Sequence, residues 1–405
     1  MGKSVGYQIV YPNGCKELTD TLKVDELRRR LNDLSSSFDQ IIEDETCEAD
    51  TTYDLDSSTQ LSKHEGLKGL FLLLVSPEYT QHSDIDIRLR VGVCICKMLK
   101  IFCPNNPFSG MLEERSLTKN TLLFLLACIS QLANVKSKSD VTYPKLHTIL
   151  YICCQIDVFL WCASLEDEVT LFDCIKTAFS IVKNLNVWAW TEPTIIRQML
   201  LDMVVKVIAQ AESLLTREII IYILELLIEP ARSTQSEQHT LARDLIIRTA
   251  THLEYNIQML LQNSLIAGNV EPQKETSQQT ETKPKDNVDV DELSDSDTVS
   301  EVQEPHSANP LGEHAFLIIY ALHTIQESLV APVLPTIELK LKSPSERERK
   351  RSFRLLARLF SEPVCFITIA KISLVQNYIL NQKYLTLGEK LACLHLHLKV
   401  SFVGK

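Results

Sequence analysis

Three cysteines, Cys94, Cys96 and Cys103, lie close together in the stretch "VGVCICKMLKIFCPNNPF" and offer the most reactive side chains of this sequence. Thiolates bind soft metals and act as nucleophiles, so the spacing raises the question of a metal site or a catalytic loop. Cys94 and Cys96 are two positions apart in a helical pattern, which directs their side chains about 200° away from each other. The sequence contains no CxxC pair. We therefore predict buried thiols in a helical core.

A second group of metal-binding residue types occurs where Cys393, His395 and His397 alternate in "CLHLHLK". Alternation would place these side chains on one face of a strand, but no partner motif accompanies them, and we predict no metal site there. The motifs of common catalytic sites, namely GxSxG, the P-loop, HExxH and GxGxxG after a strand, are absent from the sequence. We predict a protein without catalytic activity.

Basic clusters are the stronger candidates for a binding function. One is "ELRRRL", with Arg28 to Arg30, and the other, "SERERKRSFRLLAR", contains Arg347, Arg349, Lys350 and Arg351. The first interpretation is a solvated helix face whose cations pair with nearby glutamates. The alternative is a surface that contacts phosphate groups of DNA or of a polyphosphate.

Composition favours a globular protein built mostly of helices. Among 405 residues, 45% are hydrophobic, 23% are charged and only 11 are glycine, while Leu and Ile dominate the apolar residues. The net charge is −11, and the segment 271–306 contributes −8 of it through eleven acidic residues and three lysines. A uniformly basic nucleic-acid-binding surface is therefore not indicated.

The sequence shows neither a signal peptide nor a membrane span. Its first ten residues lack a basic start and an apolar core. The apolar run 149–163 is interrupted by Gln155 and Asp157 and is shorter than the roughly 20 residues that cross a bilayer. We expect a soluble intracellular protein with reduced thiols, no membrane partner and no small-molecule substrate.

Apolar segments at helical spacing follow one another along most of the chain, separated by short polar or proline-containing joints. No convincing strand pattern interrupts them, so we predict an all-α fold, an α-solenoid of HEAT-like helical hairpins. The predicted helices span about 61–75, 84–102, 119–134, 144–163, 168–184, 193–210, 216–229, 238–262, 313–330 and 346–360.

Composition divides the chain into five parts. We predict an N-terminal segment 1–60 with a helix at about 23–36, HEAT-like repeats at 61–268, an acidic disordered insert at 269–310, a continuation of the array at 311–360, and a tail of uncertain fold at 361–405. Within the insert, Ser294 and Thr298 each precede an acidic residue by three positions, which is the pattern of an acidophilic kinase site.

Four of the predicted helices share an acidic or polar start, an arginine within about one turn and an apolar face. An acidic group suits the positive end of a helix, and the arginine can bridge to the neighbouring repeat. Arg197 and Arg243 are 46 positions apart, within the ~40–47-residue period of HEAT repeats. The other spacings are irregular.

Four ordered stretches resemble the Pds-five (precocious dissociation of sisters) family of cohesin regulators. The head "YPNGCKE" is similar to that family's opening, and "EPARSTQSEQHTLARDLIIRT" and "VLPTIELKLKS" resemble two later signatures. In "IDIRLRVGVCICKMLKIFCPNNPF" the matching positions are Asp86, Ile87, Arg88, Leu89, Cys94, Ile101, Phe102, Pro104, Pro107 and Phe108. Here the two prolines should end the helix, and Phe108 should pack into the next hairpin.

This resemblance implies a nuclear, chromatin-associated HEAT-repeat scaffold that regulates sister chromatid cohesion in mitosis. It implies binding to cohesin's kleisin subunit and to motifs of Wapl and of its antagonist sororin, with Arg243 and Arg248 on the helix that matches the family's motif-binding helix. Inositol hexakisphosphate is a family ligand, but its binding residues are not matched one by one here, so we predict no cofactor. The alternative is another HEAT adaptor, either a nuclear transport receptor or a phosphatase scaffold.

The sequence departs from the family in two regions. The acidic insert at 269–310 has no counterpart of that length, and the residues after Phe360 no longer follow the family pattern. Family members are also several times longer than this chain.

Overall fold

The computed structural model describes residues 8–19, 21–49, 64–137, 139–185, 193–267, 311 and 314–361. Within these ranges every regular element is a helix and no strand occurs, which confirms the predicted all-α class. The chain divides into two compact units, Met1–Asn256 and Ile257–Lys405. The predicted insert at 269–310 and the tail beyond Ser361 lie outside the described residues.

The helices of the first unit come in chain order with short connections. They are α1 Val24–Ala49, α2 Lys68–Leu74, α3 Pro77–Thr80, α4 Ile85–Phe102, α5 Glu114–Ser130, α6 Tyr143–Gln155, α7 Trp161–Ser164, α8 Glu168–Leu185, α9 Pro193–Gln210, α10 Arg217–Glu225, α11 Ala231–Thr234 and α12 Ser236–Ala267. Helix α12 contains the boundary between the two units.

Helices of the first unit pack in two layers. Helices α1, α4, α6 and α9 contact one another in sequence, while α5 packs against α8 on the other side. Contacts of α4 with α5, of α5 with α6 and of α8 with α9 join the layers. We call the layer formed by α1, α4, α6, α9 and α12 the bridged layer, because ion pairs connect α1 to α4, α4 to α6 and α9 to α12. Two-layered hairpins of this kind are what the helical periodicity predicts.

Helix α1 is anchored by an apolar face and by a lysine from its neighbour. Leu27, Leu31 and Phe38 are buried at helical spacing against α4. Beyond the predicted end at about 36, Lys97 Nζ lies 2.6 Å from Asp39 Oδ2. The helix continues to Ala49, well past the end that the sequence predicted.

Helix α4 begins and ends at the residues that its sequence indicates. Asp84 is the N-cap, and its carboxylate accepts hydrogen bonds from the backbone N–H groups of Asp86 and Ile87 at 2.8 and 3.3 Å. The helix ends at Phe102, two residues before Pro104, as predicted. Phe108 is fully buried, and its ring centroid lies 5.2 Å from that of Phe71 in the preceding α2; its packing into the next hairpin stays a prediction.

The segment predicted as one helix at 144–163 is broken. Asp157 has φ 53°, which is outside the helical region, and the axis bends by 62° between Tyr143–Gln155 and Val158–Ser164. Sequence periodicity alone did not indicate this break, because apolar residues continue on both sides of it.

The second unit adds α13 Ala315–Ile325, α14 Leu334–Lys340 and α15 Glu346–Ser361. Helix α15 packs against both α13 and α14. Helix α14 was missing from the predicted helices, which left 331–345 as a connection. Pro335 is tolerated there because it lies in the first turn, where no intrahelical N–H partner is needed.

Among the described residues, Glu114–Asn134 is long and apolar enough to cross a bilayer by length and composition, and so is the bent pair at 143–164 if counted as one span. Within Glu114–Asn134, 44% of the apolar 18-residue segment is buried inside the protein. Leu122 and Leu125 are fully buried in this unit, in which α5 packs against α8. The core helix of a helical bundle meets the same criteria, and we interpret α5 in that way.

Candidate partner-binding surface

Ion pairs connect the first three helices of the bridged layer. Arg28 of α1 lies 2.6 Å from Asp84 and 3.3 Å from Asp86, at the start of α4. Asp86 also lies 3.0 Å from Lys145 of α6. Burial disfavours the charged form of Asp86, but hydrogen bonds from Arg90 and Lys145 hold the pKa of its carboxyl below the ordinary value. These charges fix how successive helices are positioned.

A similar set of bridges connects α9 to α12. Arg197 of α9 lies 3.4 Å from Asp244 and 3.8 Å from Glu237 of α12. Asp202 of α9 lies 2.5 Å from Arg248 of α12. The expectation that an arginine near the helix start bridges to the next repeat is confirmed at Arg197. Arg197 and Arg243, which are 46 positions apart, lie on α9 and α12, two neighbouring helices of the bridged layer.

Between α6 and α9 the bridged layer contains an apolar groove. Its volume is about 880 Å³, and its lining includes Tyr143, His147 and Tyr151 of α6 and Ile195 and Met199 of α9. The centroids of the Tyr143 and His147 rings are 5.7 Å apart, and those of His147 and Tyr151 are 6.3 Å apart and nearly parallel. Tyr151 and Ile195 are more than half exposed.

Sequence analysis did not predict this groove, although a signal was present. Tyr143, His147 and Tyr151 recur every four positions, which places three rings on one helix face. The facing residue Ile195 lies 44 positions after Tyr151, on a later helix, so only the tertiary structure joins the two walls.

Arg243 and Arg248 both lie on α12 and are exposed, but they do not form one site. Five positions correspond to roughly 140° of separation around a helix. Arg248 pairs with Asp202, whereas Arg243 has no ion-pair partner within the described part of the chain and lies one turn from the exposed side chain of Ile247. Arg243 is therefore the freer of the two predicted anchors.

The predicted basic patch lies at the start of α15, and most of its cations are used locally. Arg349 Nη1 donates to the carbonyl oxygens of Ser343 and Pro344, at 2.7 Å each. Lys350 lies 2.8 Å from Glu346, which confirms pairing with a nearby glutamate for that cation. Arg347 and Arg351 also interact within the chain. A contact to phosphate groups stays a prediction.

Of the three cysteines near position 94, Cys94 and Cys96 lie in the core, whereas Cys103 follows the end of α4 and is only half-buried. Cys94 and Cys96 are fully buried, and Cys96 Sγ lies 3.5 Å from Cys153 Sγ without a disulfide. Burial raises the pKa of Cys94 and of Cys128 to about 12, so neither thiol is a ready nucleophile. No group of metal-ligating side chains occurs among the residues that the structure describes. Cys393, His395, His397, Ser294 and Thr298 lie outside them.

The two-layered hairpins and the ion pairs between neighbouring helices define an all-α protein of the HEAT-like class. A family model described as "Sister chromatid cohesion protein PDS5 protein" matches residues 25–379. The chain belongs to this PDS5 family, as its sequence motifs predicted.

Individual relatives agree with the family match. The sister chromatid cohesion protein PDS5 homolog A of Mus musculus is 25% identical over 360 residues, which cover 87% of this chain and 22% of the relative. Homolog B-A of Xenopus laevis is 23% identical over 360 residues, with coverage of 87% and 20%. The chain thus spans about a fifth of the length of these curated relatives.

One solved structure, described as that of a Pds5–Scc1 complex, has the same fold. The similarity has a TM-score of 0.60 at 14% sequence identity and covers 95% of this chain and 51% of the other. It therefore supports the predicted HEAT-like helical architecture.

Proposed function

We propose that this chain is a non-catalytic scaffold that regulates sister chromatid cohesion by binding the cohesin complex through its kleisin subunit. The observation that carries the proposal is the PDS5 family match over residues 25–379. Similarity to the chain of a Pds5–Scc1 complex supports kleisin as the partner. The scaffold acts in the nucleus, where it associates with chromatin through cohesin. The scaffold acts without a small-molecule substrate or a membrane.

The bridged layer is the surface on which this scaffold would receive short peptide motifs of Wapl and of a sororin-like antagonist. Arg243 is exposed beside Ile247, which offers a charged and an apolar contact on one helix. Arg248 is held by Asp202, so it orients α12 and takes part in peptide binding only when that ion pair opens. No cofactor is required for such a contact, and inositol hexakisphosphate is an additional ligand to test.

The experiment is co-purification from nuclear extract with the full chain as bait. The variants are Arg243→Glu, Arg248→Glu and, as a matched control, Lys183→Glu, which reverses an exposed charge on α8 of the other layer. We expect wild-type protein to retain kleisin, Wapl and the antagonist. Arg243→Glu should lose Wapl and the antagonist while keeping kleisin, and Lys183→Glu should behave as wild type.

Other outcomes discriminate between the alternatives. Equal retention of Wapl by all variants would remove Arg243 as an anchor without affecting the kleisin proposal. Recovery of importin cargo or a phosphatase catalytic subunit in place of cohesin would favour the other HEAT adaptors. Adding inositol hexakisphosphate to the purified chain and measuring its melting temperature tests the ligand, because a ligand that binds only the folded state raises that temperature.

A further inference from the structure

Two serine–proline pairs occur in this sequence, Ser76-Pro77 and Ser343-Pro344. Proline lacks a backbone N–H and fixes φ, and it biases the preceding residue towards an extended conformation. Proline-directed kinases accept serine in this context, because their substrate groove requires an extended chain without a donor after the serine. Both pairs therefore carry the minimal sequence for modification.

The structure presents the two pairs differently. Ser343 and Pro344 lie in the turn between α14 and α15, with Lys342 and Pro344 exposed and Ser343 half-buried. In the other pair, the hydroxyl oxygen of Ser76 is buried, and Pro77 is already the first residue of α3. Each pair has a half-buried serine and an exposed proline, but the pair at 343 lies in a connection between two helices, whereas the pair at 76 begins one.

Charged groups surround the Ser343 hydroxyl. Its Oγ donates to Glu348 Oε2 at 2.5 Å, and Lys340 Nζ donates to the other oxygen of the same carboxylate at 3.0 Å. Arg349 Nη1 lies 2.7 Å from the carbonyl oxygen of Ser343 itself. Lys340 and Arg349 therefore contact, respectively, the carboxylate that holds this hydroxyl and the carbonyl oxygen of the same serine, while Glu346 also interacts with Arg349.

We propose that Ser343 is a phosphorylation site of a proline-directed serine/threonine kinase and that Arg349 and Lys340 hold the phosphate. In the transfer step, Ser343 Oγ attacks the γ-phosphorus of a nucleoside triphosphate. The Oγ–P bond forms as the bond to the nucleoside diphosphate breaks, and the hydroxyl proton passes to the base of the kinase.

The modification changes the contacts of this turn. The phosphorylated oxygen no longer donates to Glu348, and the added charge of about −1.5 to −2 competes with that carboxylate for Lys340 and Arg349. Helix α15 contains six Arg and Lys and two Glu, a net of +4 (six minus two). Phosphorylation therefore offsets roughly half of that positive charge. This inference stands independently of the proposed function.

The first test is labelling of the folded full chain with a purified proline-directed kinase and ATP, with sites assigned by mass spectrometry. We expect phosphate on Ser343, no labelling of that turn in Ser343→Ala, and loss of most labelling in Pro344→Ala. Ser76 serves as the internal control and should be labelled only after unfolding. Labelling of a peptide covering 337–349 but not of the folded chain would overturn the proposal, as would equal labelling of Ser76 and Ser343.

The second test asks what holds the phosphate. The second pKa of phosphoserine is ordinarily about 6, and neighbouring cations favour the dianion. By ³¹P NMR titration the phosphate on Ser343 should titrate below that value in the wild-type chain. The pKa should move back towards 6 in Arg349→Gln but not in Arg347→Gln, a matched change on the same helix. Identical titration in all three chains would show that Arg349 does not hold the phosphate.

Discussion

Arg28 and Asp84 are 56 positions apart in the sequence, yet Arg28 Nη2 lies 2.6 Å from Asp84 Oδ2. The same Asp84 side chain caps α4, so one carboxylate both starts a helix and connects it to α1. Local helix formation and packing between helices are thereby coupled at a single residue.

Replacing Asp84 should separate these two roles. We expect Asp84→Ala to lower the free energy of unfolding by about 1–2 kcal/mol, because the cap and the ion pair are both lost. Asp84→Asn keeps an oxygen acceptor for the backbone N–H groups and should lose less. Urea unfolding followed by circular dichroism measures both changes, and equal effects of the two variants would contradict the capping role.

The same carboxylate should make stability depend on pH. Burial disfavours its charge, but the backbone N–H groups of Asp86 and Ile87, with Arg28, hold the pKa of Asp84 below the ordinary value. Because the pKa of Asp84 is lower in the folded state, its carboxylate contributes fully to the free energy of unfolding above the unfolded-state pKa of about 3.9. This contribution is lost as the pH falls through the folded-state pKa. The stability difference between wild type and Asp84→Asn should therefore be constant near neutrality and shrink below about pH 4. A difference that grows on acidification would exclude this assignment.

Lys97 should contribute more to stability than a lysine one turn away. Its Nζ donates to the carbonyl oxygen and hydroxyl of Ser35 and to Asp39, and its side chain is 10% exposed. We expect Lys97→Ala to cost about 1–3 kcal/mol, because the half-buried oxygens of Ser35 lose their donor and the packed stem of the lysine is removed. Lys100→Ala removes one exposed hydrogen bond to Gln155 and should cost less than about 0.5 kcal/mol. Chemical unfolding of both variants provides the comparison, and similar losses would contradict it.

Gly69 should be required for docking of the N-terminal segment. A Cβ at this position would meet the carbonyl carbon of Gln8 at 2.9 Å and its oxygen closer still, so the backbone must move. A Cβ on Gly66 meets no atom within 4 Å. We expect Gly69→Ala to increase hydrogen exchange and proteolysis around residues 8–12, and Gly66→Ala to leave both unchanged. If hydrogen exchange and proteolysis around residues 8–12 are the same in both variants as in the wild type, the close approach of Gln8 does not require glycine at position 69.

Thiol labelling should report burial of the core. Cys94 and Cys128 are buried with pKa values raised to about 12, whereas Cys15 is half-exposed. A brief pulse of iodoacetamide at pH 8 should modify Cys15 first and leave the two buried thiols unmodified until urea unfolds the chain. Mass spectrometry of the labelled peptides gives the order. Early modification of Cys94 would contradict its place in the core.

Sequence patterns predicted helices reliably where one face is apolar and the ends carry clear signals. Helix α4 has both, with Asp84 at its start and Pro104 after its end. Patterns failed where a conformation depends on contacts from elsewhere in the chain. Asp157 adopts a left-handed conformation within an apolar run, and Lys206 of α9 pairs with its carboxylate. The sequence also predicted an end of α1 that is too early. Asp39, in the part of the helix that was missed, pairs with Lys97, which lies 58 positions away in the chain.

The sequence alone determined the helical class, the family resemblance and the burial of the cysteines near position 94, because these properties follow from local periodicity and from motifs that are contiguous in the chain. The tertiary structure decided which charges meet and where a groove opens. Ion pairs such as Arg197–Asp244 and the groove between Tyr151 and Ile195 join residues of different helices. Their distances depend on how helices pack, and no spacing along a single helix contains that information.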